Sequence, residues 1–535
     1  MTSVRAEVEE PDTRPGGHLA ASVLATEVRN NRVQRWERAK RIPWPLVVVL
    51  AVQVCLSARL IWADTAFVDE ATYLYAGHQE IHSILSTGSL TVPGQNGYYQ
   101  TYFSGSPVLY PIIGAIADSI GGLAAARMVS LLFMLAATCF LYCTTVRLYD
   151  RRAAFLASAV FAILGPTQFL GAFATYDAMA LCLMALAAFL AVKSAQQDDN
   201  RLTLLYACLV MVTADAVKYA VLLFDPVIIG LCVLGAVPYR GWASARRQGY
   251  RMLGYSATLG AALLALSGHT YIKGLLSTTI ARAQGGAAAG QVLLDSWRWV
   301  GAVAVAAGVA VIVHAIWDRG QARTWLCVLL AGAVCLAPLD QARIHTLTSL
   351  EKHVDFGAWF AAIAVGYLFA RIVPRRGGRV VTSLAFLAAV GALSGVTVIS
   401  AAQAEALSTE WPNSTAAVNA LKPWTKNVHV LAEEYFIYSY YLEGEVSLNQ
   451  WANTWHFTYT DPATGKELVG EPAYTAAIKN HYFGTIALSY GSTSATDKYI
   501  VAAMKSAGGY TRVVHIRYGP LWFDVFHYVR SQSLG

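Results

Sequence analysis

Two adjacent carboxylates, Asp69 and Glu70, lie in the run FVDEATYLYAG, shortly after the first long apolar segment of the chain. A charged group at the centre of a membrane-spanning helix costs roughly 3 kcal/mol on insertion scales, so acids at the end of such a segment need an explanation. One explanation is structural, because either residue could cap a helix that begins at Ala71. The other is chemical, because a carboxylate at the mouth of a helical bundle can act as a general base.

Other ionisable side chains stand at the ends of later apolar segments. Asp177 opens one segment in GAFATYDAMA, and Lys218 follows another in TADAVKYAVLL. Each has a structural alternative, since Asp177 could cap its helix and Lys218 could extend its ammonium group to the membrane interface. Asp215 and Asp225 flank Lys218 and could pair with it. Four further candidates come later in the chain: Arg282, His345, Lys352 and His353.

The composition indicates that a membrane bundle positions these residues. Of the 535 residues, 56% are hydrophobic and only 14% are charged, and the mean hydropathy is +0.43. Apolar runs of about 18 residues or more, enough to cross about 30 Å of hydrocarbon, recur from Ile42 to Ser400. We therefore predict about eleven transmembrane helices. They are expected near 43–63, 124–146, 153–170, 177–194, 202–218, 220–237, 252–268, 297–316, 324–339, 354–371 and 380–400.

Basic residues predict the orientation of these helices. The stretch before the first span is rich in arginine and lysine, which places the N-terminus in the cytoplasm. Basic residues then recur in alternate loops, near 147–152, 193–201, 240–251, 319–323 and 371–379. Two short apolar stretches, 71–86 and 107–121, are predicted to be interfacial or re-entrant helices. Leu74, Ile81 and Leu85 share one face of the first, and counting the second as a span would break this alternation. The acids and cations above then all face the outer surface.

The chain divides into three predicted regions. Residues 1–42 are polar and arginine-rich without an early apolar core, which indicates a cytoplasmic tail and no cleavable signal peptide. Residues 43–400 form the transmembrane domain. In residues 401–535, β-like runs such as GTIALSY and TRVVHIRYG alternate with helical runs such as SATDKYIVAAMKSAG, which predicts an extracytoplasmic α/β domain. The eight cysteines lie in apolar segments and show no metal-binding or redox spacing.

The order of these motifs resembles that of the membrane glycosyltransferases of GT-C architecture, above all the protein O-mannosyltransferase and aminoarabinose-transferase group. The resemblance rests on FVDEATYLYAG, SPVLYPIIGAI, AAARMVSLLF, ATYDAMA and ADAVKYA, and it is closer over 43–240 than over 250–400. It implies a polytopic α-helical membrane protein of GT-C type. Such enzymes transfer a sugar from a polyprenyl-phosphate carrier to an acceptor outside the membrane, usually with inversion at the anomeric carbon. One departure is FSGSPVLYP, where the family carries His-x-Pro-Pro.

The resemblance also implies roles for individual residues. Asp69 matches the catalytic acid of the first outer loop and Asp177 the acid of the second, while Lys218 matches the lysine of a Leu-Thr-Lys pattern that reads Val-Lys here. We predict that Asp69 is the general base and that Glu70 supports it. The leaving phosphate needs cations, and Arg282 and Lys352 would join Lys218 in binding it. Further candidate contacts with donor or acceptor are Tyr73, His345 and His353.

The expected partners are membrane lipids, a polyprenyl-phosphate sugar and a glycan, lipid or protein acceptor. No nucleotide-binding motif is present, and no nucleic acid partner is expected. The outer-loop histidines lack zinc-ligand spacing, so no metal site is predicted, although the sequence leaves open whether a divalent cation binds at the acids. The alternative function is a transporter or flippase of lipid-linked sugars. Transporters of that kind usually show paired repeats with interrupted helices, and no such internal repeat is visible.

Overall fold

The computed structural model describes residues 43–89, 103–197, 201–317, 320–372 and 379–529. The tail predicted over 1–42 lies outside these ranges. Contacts divide the chain into a short unit, Met1–Val48, and a large unit, Val49–Gly535. Of the short unit the structure describes only the beginning of the first helix, and the fold below is that of the large unit.

Helices dominate the chain up to residue 408. Their bounds are α1 Trp44–Ala58, α2 Val68–Thr87, α3 Leu109–Leu148, α4 Arg151–Ile163, α5 Gly165–Leu170, α6 Tyr176–Gln196, α7 Arg201–Val217, α8 Asp225–Thr278, α9 Ala289–Trp317, α10 Gln321–Gly332, α11 Leu336–Arg343, α12 Leu350–Ile372 and α13 Arg379–Ser408. Short 3₁₀ segments, Tyr219–Phe224 and Ala333–Cys335, precede α8 and α11.

Two of these helices are broken at glycines. The backbone of α3 leaves helical geometry at Gly121 and Gly122, and that of α8 at Gly241 and Gly268. The break in α3 separates the apolar stretch predicted at 107–121 from the span predicted at 124–146. The break at Gly241 separates the arms of α8 that correspond to the spans predicted at 220–237 and 252–268.

Within the described residues, six stretches are long and apolar enough to cross a membrane. They are Leu109–Leu148, Tyr176–Gln196, Tyr219–Gly268, Ala289–Trp317, Gln321–Arg343 and Leu350–Ile372. The chain is thus a multi-pass membrane protein. Four other predicted spans coincide with the shorter helices α1, α4 and α7 and with part of α13, and the total of about eleven remains a prediction.

Helix α12 lies at the centre of the bundle. In its most apolar window, 89% of the residues are buried by neighbouring helices. Small residues allow this packing: a Cβ atom on Gly366 would lie 2.4 Å from the carbonyl oxygen of Ala153 and 2.7 Å from the Cβ of Ala157. Close backbone approach at small residues is the usual way in which membrane helices associate. The N-terminal turn of α12, which carries Lys352 and His353, is therefore held firmly in place.

The rest of the described chain forms an α/β domain. Its helices are α14 Thr415–Leu421, α15 Tyr435–Tyr441, α16 Glu471–Lys479 and α17 Ser494–Ala507, and its strands are β1 His429–Ala432, β2 Trp451–Asn453, β3 Thr458–Thr460, β4 Glu467–Val469, β5 Phe483–Leu488, β6 Tyr510–Tyr518 and β7 Leu521–Tyr528. The five-stranded sheet has the order β2-β1-β5-β7-β6, and β3 and β4 pair separately.

The main sheet is mixed. Strand β1 runs parallel to β2 and β5, whereas β7 runs antiparallel to β5 and β6. The predicted α/β character is confirmed, and the β-like runs VHVLAE, GTIALSY, TRVVHIRYG and WFDVFHYV of the sequence correspond to β1, β5, β6 and β7. The three-residue strands β2, β3 and β4 were not predicted, because a strand of that length shows no alternation that a sequence pattern can detect. The domain boundary at residue 400 remains a prediction; α13 continues beyond it to Ser408.

Candidate active site

Two buried carboxylate–lysine pairs form the candidate site. The Nζ of Lys352 lies 2.7 Å from Oδ2 of Asp69, and the Nζ of Lys218 lies 2.5 Å from Oδ1 of Asp177. These side chains come from α2, α6, α12 and the turn after α7, which are far apart in sequence. Charges that are removed from water are tolerated when each has a close opposite partner. The fold therefore brings together four of the residues that the sequence singled out.

The two adjacent acids of α2 have different surroundings. Consecutive residues of a helix point about 100° apart, so Asp69 and Glu70 face different neighbours. Glu70 is fully buried in a two-pronged ion pair with Arg127, at 2.8 Å and 2.7 Å. It also accepts hydrogen bonds from the backbone N–H groups of Phe67 and Ala174. Asp69, in contrast, keeps 15% of its side chain exposed. Only Asp69 therefore combines a buried partner with an accessible surface.

Arg127 ties Glu70 to the loop before α2. Besides the ion pair, its guanidinium donates to the carbonyl oxygens of Ile61, Asp64 and Thr65. Glu70, the third residue of α2, also accepts the backbone N–H of Phe67 at 3.0 Å and so satisfies one free donor at the start of the helix. Glu70 does cap the start of this helix, as the structural alternative proposed, although the helix begins at Val68 and not at Ala71. The geometry supports a structural role for Glu70, and its predicted catalytic support stays a prediction.

The structural alternatives for Asp177 and Lys218, a helix cap and an ammonium group at the membrane interface, do not agree with the observed contacts. Asp177 is the second residue of α6, and the helix is preceded by Thr175, whose hydroxyl donates to Asp177 at 2.9 Å. Lys218 is only 2% exposed, so its ammonium does not reach the interface. It bonds to Asp177, from another helix, and not to the flanking Asp215. Both residues belong to the pairs described above.

Aromatic rings form the floor beneath the two lysines. The Nζ of Lys218 lies 5.0 Å from the ring centre of Tyr176, and that of Lys352 lies 5.3 Å from the ring centre of Phe173, both within cation–π range. The hydroxyl of Tyr73 donates to that of Tyr176 at 2.6 Å, and Tyr176 also hydrogen-bonds to Ser104. Tyr73, a predicted contact residue, therefore orients the ring under Lys218.

The segment before α3 fixes the turn that carries Lys218. Ser106 N–H donates to the carbonyl of Ala216, and Tyr219 N–H donates to the carbonyl of Ser104. Between them, a Cβ atom on Gly105 would lie 1.9 Å from the carbonyl oxygen of Val217, so only glycine fits there. This segment stands where the family that the sequence resembles carries His-x-Pro-Pro. Its backbone here supports the lysine directly.

A cavity of about 480 Å³ opens beside the two pairs. Its walls include Ser104, Tyr219, Phe224, Arg282, His353 and Phe356. Two of its lining residues, Tyr219 and His353, directly follow Lys218 and Lys352 in the chain. Aromatic walls together with a cation suit a ligand that has an apolar part and an anionic group. Arg282 and His353 are among the residues that line this cavity, whereas the ammonium groups of Lys218 and Lys352 are engaged in ion pairs with Asp177 and Asp69.

His345 has a different position. Its Nδ1 lies 2.9 Å from the carbonyl oxygen of Ala287, and the neighbouring Ile344 accepts a hydrogen bond from Gly285 N–H. These contacts hold the loop that follows Arg282, so His345 supports that loop. The side-chain amide of Gln341 donates a hydrogen bond to Nδ1 of His353 at 2.7 Å. Of the two predicted histidines, only His353 lines the cavity.

In the part of the chain that the structure describes, no three or more His, Cys, Asp and Glu side chains converge as metal ligands would. Each of the two site acids has an ammonium group as its neighbour. A metal ion at this position would have to displace Lys352 or Lys218. The donor set therefore fits an anionic ligand better than a cation.

Sequence reasoning missed several residues that build the site. Arg127 lies inside the apolar run AAARMVSLLF, and an arginine in such a run indicates a buried partner. That signal was present and was not used. Tyr176 and Ser104 carried no separate signal, because an aromatic residue or a serine at a helix end is commonplace. Gly105 could not be recognised without knowing which backbone it approaches.

Comparison with known proteins identifies the fold. ArnT from Cupriavidus metallidurans, bound to undecaprenyl phosphate, matches with a TM-score of 0.57 and 12% sequence identity, over 91% of this chain and 98% of that one. Archaeal oligosaccharyltransferase AglB from Archaeoglobus fulgidus, in complex with an inhibitory peptide and a dolichol-phosphate, matches with a TM-score of 0.56 and 13% identity, over 91% and 74%. The same archaeal enzyme in complex with Zn and sulfate matches with a TM-score of 0.54 and 14% identity, over 88% and 71%.

The chain therefore has the GT-C glycosyltransferase fold, and the resemblance predicted from its motifs is confirmed at the level of the fold. No protein-family model and no curated protein sequence matches the chain. At these sequence identities the likeness concerns architecture, so the chemistry of the site has to be argued from its own residues.

Proposed function

We propose that this protein is a glycosyltransferase that moves a hexosyl or pentosyl group from a polyprenyl-phosphate donor to an acceptor hydroxyl. The observation that carries the proposal is the pair of buried carboxylate–lysine contacts beside a cavity with a cationic wall, set in a GT-C fold. The ligands of the structural neighbours, undecaprenyl phosphate and a dolichol-phosphate, are both lipid phosphates of this kind. They support the class of donor.

Asp69 is the proposed general base. It takes the proton of the acceptor hydroxyl while the hydroxyl oxygen forms its bond to the anomeric carbon of the sugar, which inverts that centre. The bond from the anomeric carbon to the phosphate oxygen breaks, and its electron pair leaves with the lipid phosphate. Asp69 suits this role better than Glu70, because its side chain is 15% exposed whereas that of Glu70 is 0% exposed.

The cations of the site take up the charge of the leaving phosphate. Arg282 lines the cavity and supplies a guanidinium group that can bind the phosphate. Lys218 and Lys352 are held close to the cavity by their carboxylate partners, and in this low-dielectric setting their attraction for an anion is stronger than in water. Asp177 keeps Lys218 charged and in position. This division of roles agrees with a reaction in which negative charge develops on the donor.

The outer face of the cytoplasmic membrane is the proposed location of the reaction. Support comes from the alternation of basic loops, which places residues 401–535 outside and the loop near residue 244 inside. Ser492 and Ser244 are both exposed and suit a labelling test. A cysteine at Ser492 should react with a membrane-impermeant thiol reagent in intact cells, and a cysteine at Ser244 should not. The reverse result would contradict the orientation and the location of the site.

The proposed function is tested by following the lipid-linked sugar donor in cells and in vesicles. Cells that lack the protein should accumulate a lipid-linked sugar, identified by mass spectrometry of extracted lipids. The purified protein in vesicles should release free polyprenyl phosphate from that lipid when an acceptor is present. Movement of the intact lipid-linked sugar across the vesicle membrane, without release of the phosphate, would establish a flippase instead.

A further inference from the structure

Residues beyond α13 hold the loop that leads to Asp69. Ala66 N–H donates to the hydroxyl of Tyr441 at 2.7 Å, and the indole N–H of Trp411 donates to the carbonyl oxygen of Thr65 at 2.9 Å. Ser414 N–H donates to the hydroxyl of Thr65 at 3.0 Å. The side-chain amide of Asn413 reaches Oδ1 of Asp64 at 2.9 Å. Four bonds from more than 340 residues away in sequence thus converge on residues 64–66.

Aromatic packing links this loop to the partner of Asp69. The ring of Phe67 lies 4.8 Å from that of Trp411 and 5.9 Å from that of Phe173, between ring centres. The Phe173 ring in turn underlies the ammonium group of Lys352. Movement of Trp411 would therefore disturb both members of the Asp69–Lys352 pair.

A second contact fixes the body of helix α2. The hydroxyl of Tyr440 donates to Oδ1 of Asp118 at 2.7 Å, and Oδ2 of Asp118 lies 2.8 Å from Nε2 of His78 on α2. Glu443, just beyond α15, lies 3.9 Å from the other ring nitrogen of His78. Neighbouring tyrosines of α15 thus contact the loop before α2 and, through Asp118, the helix itself.

These contacts matter because the loop lacks regular structure. Residues 59–67 join α1 to α2, and their backbone has few bonds of its own to fix it. A general base must be held within a fraction of an ångström of its productive position. Arg127 holds the loop through the carbonyl oxygens of Ile61, Asp64 and Thr65, and residues of the C-terminal domain supply the four bonds described above.

We propose that the C-terminal domain is a positioning element for Asp69, and that Tyr441 is the residue through which it fixes the loop. The inference rests on the proposed function, because it assigns the domain a part in the same reaction. Tyr441 is a positioning residue, since it contacts the backbone before α2 and not the reacting atoms. The domain then has a role in catalysis in addition to any part in acceptor recognition.

The test replaces Tyr441 by phenylalanine, which removes one oxygen and leaves the ring. Tyr438→Phe in the same helix is the matched control, because the Tyr438 hydroxyl has no hydrogen-bond partner among the described residues. Hydrogen–deuterium exchange then reports on the loop without any need for substrate. Loss of the acceptor for Ala66 N–H should speed exchange in residues 64–70 by roughly 10-fold, and Tyr438→Phe should leave it unchanged. Unchanged exchange in Tyr441→Phe would overturn the proposal.

Activity supplies the second readout. Tyr441→Phe should lower kcat by about 5- to 20-fold and leave the KM for the lipid-linked donor unchanged, because the base is displaced while the donor cavity is intact. In an Asp69→Asn background the same change should cost nothing further, since no base remains to be positioned. Full additivity of the two losses would contradict positioning through Asp69. Faster exchange combined with normal turnover of Asp69→Asn would instead retain the loop contact and reject Asp69 as the base.

Discussion

Buried carboxylates occur in two regions of this molecule, and they are neutralised in different ways. In the candidate site, Asp69 and Asp177 each face a lysine ammonium group. In the C-terminal domain, Glu433 follows β1 and accepts hydrogen bonds from the backbone N–H groups of Ser489 and Thr493, both at 2.9 Å. The hydroxyl of Ser489 donates to it as well. One region thus uses mobile charged partners and the other uses fixed dipoles.

This difference distinguishes carboxylates of a ligand-binding site from carboxylates that hold the framework of the fold together. A lysine side chain can turn from its carboxylate toward an incoming phosphate, so the two carboxylate–lysine pairs can exchange partners with a ligand. Backbone N–H groups at Glu433 cannot move without unfolding the loop after β5. The Glu70–Arg127 pair belongs with the framework, because the guanidinium is also held by three carbonyl oxygens. Four changes would break or sharpen this comparison.

The largest effect is expected at Asp69. Asp69→Asn keeps the shape of the side chain and removes its basicity, so kcat should fall by about 100-fold or more while donor binding survives. Asp295→Asn is the control, because Asp295 forms an exposed ion pair with Arg298 on one helix and should tolerate the change. The measurement is turnover of the lipid-linked donor by purified protein. Near-normal turnover of Asp69→Asn would place the base elsewhere.

Glu70 should affect stability more than chemistry. Glu70→Gln leaves the Arg127 guanidinium buried without its charge partner, and breaking a pair of this kind costs about 3–5 kcal/mol. Thermal unfolding in detergent should show a large fall in Tm. The exposed pair between Glu405 and Arg59 provides the comparison, and Glu405→Gln should change stability by less than about 1 kcal/mol. A Glu70→Gln protein that stays stable but loses turnover would show that Glu70 acts in the reaction and not only in the framework of the fold.

Arg282 should affect donor binding. Arg282→Ala removes a cation from the cavity wall, and the loss of one charge-assisted contact to a phosphate should raise the KM for the donor by roughly 10-fold. Lys273→Ala, an exposed cation of the preceding helix, should leave the KM unchanged. If the two variants behave alike, the phosphate does not enter through this cavity.

The smallest effect is expected at Asp497, which adjoins Glu433. Burial, together with the charge of Glu433, raises the pKa of Asp497 to about 8. The Asp497 carboxyl group binds a proton more tightly in the folded protein than in the unfolded chain. Its contribution to stability is therefore full below pH 4 and is lost as the pH rises to about 8. Asp497→Asn mimics the protonated form, and its Tm should depend less on pH between 5 and 9 than that of the parent.

Glu433 should respond to pH in the opposite sense. Burial alone would raise its pKa, but hydrogen bonds from Ser489 and Thr493 hold that pKa below its ordinary value. Its contribution to stability is therefore present above its unfolded pKa and is lost as pH falls through the lower folded pKa. Acid unfolding of the parent and the Asp497→Asn variant should consequently coincide. If the two proteins differed in stability below pH 4, the loss of stability in acid could not be assigned to Glu433 alone.

The sequence by itself determined the class of the protein and the list of candidate charges. Hydropathy fixes where helices can cross a membrane, since every backbone polar group in hydrocarbon must be bonded internally. The alternation in residues 401–535 likewise indicated an α/β fold. Ionisable residues at the ends of apolar segments are costly, and for that reason Asp69, Asp177, Lys218 and Lys352 could be named in advance.

Only the tertiary structure decided how those charges combine. Asp69 pairs with Lys352 across 283 residues of sequence, and no local pattern encodes a contact of that separation. The same holds for Tyr441, whose bond to Ala66 depends on where a distant domain docks. The neighbours Asp69 and Glu70 look equivalent in sequence, yet a turn of about 100° per residue points Asp69 at Lys352 and Glu70 at Arg127. Sequence sets the cost of burying each charge, and packing sets the partner that offsets it.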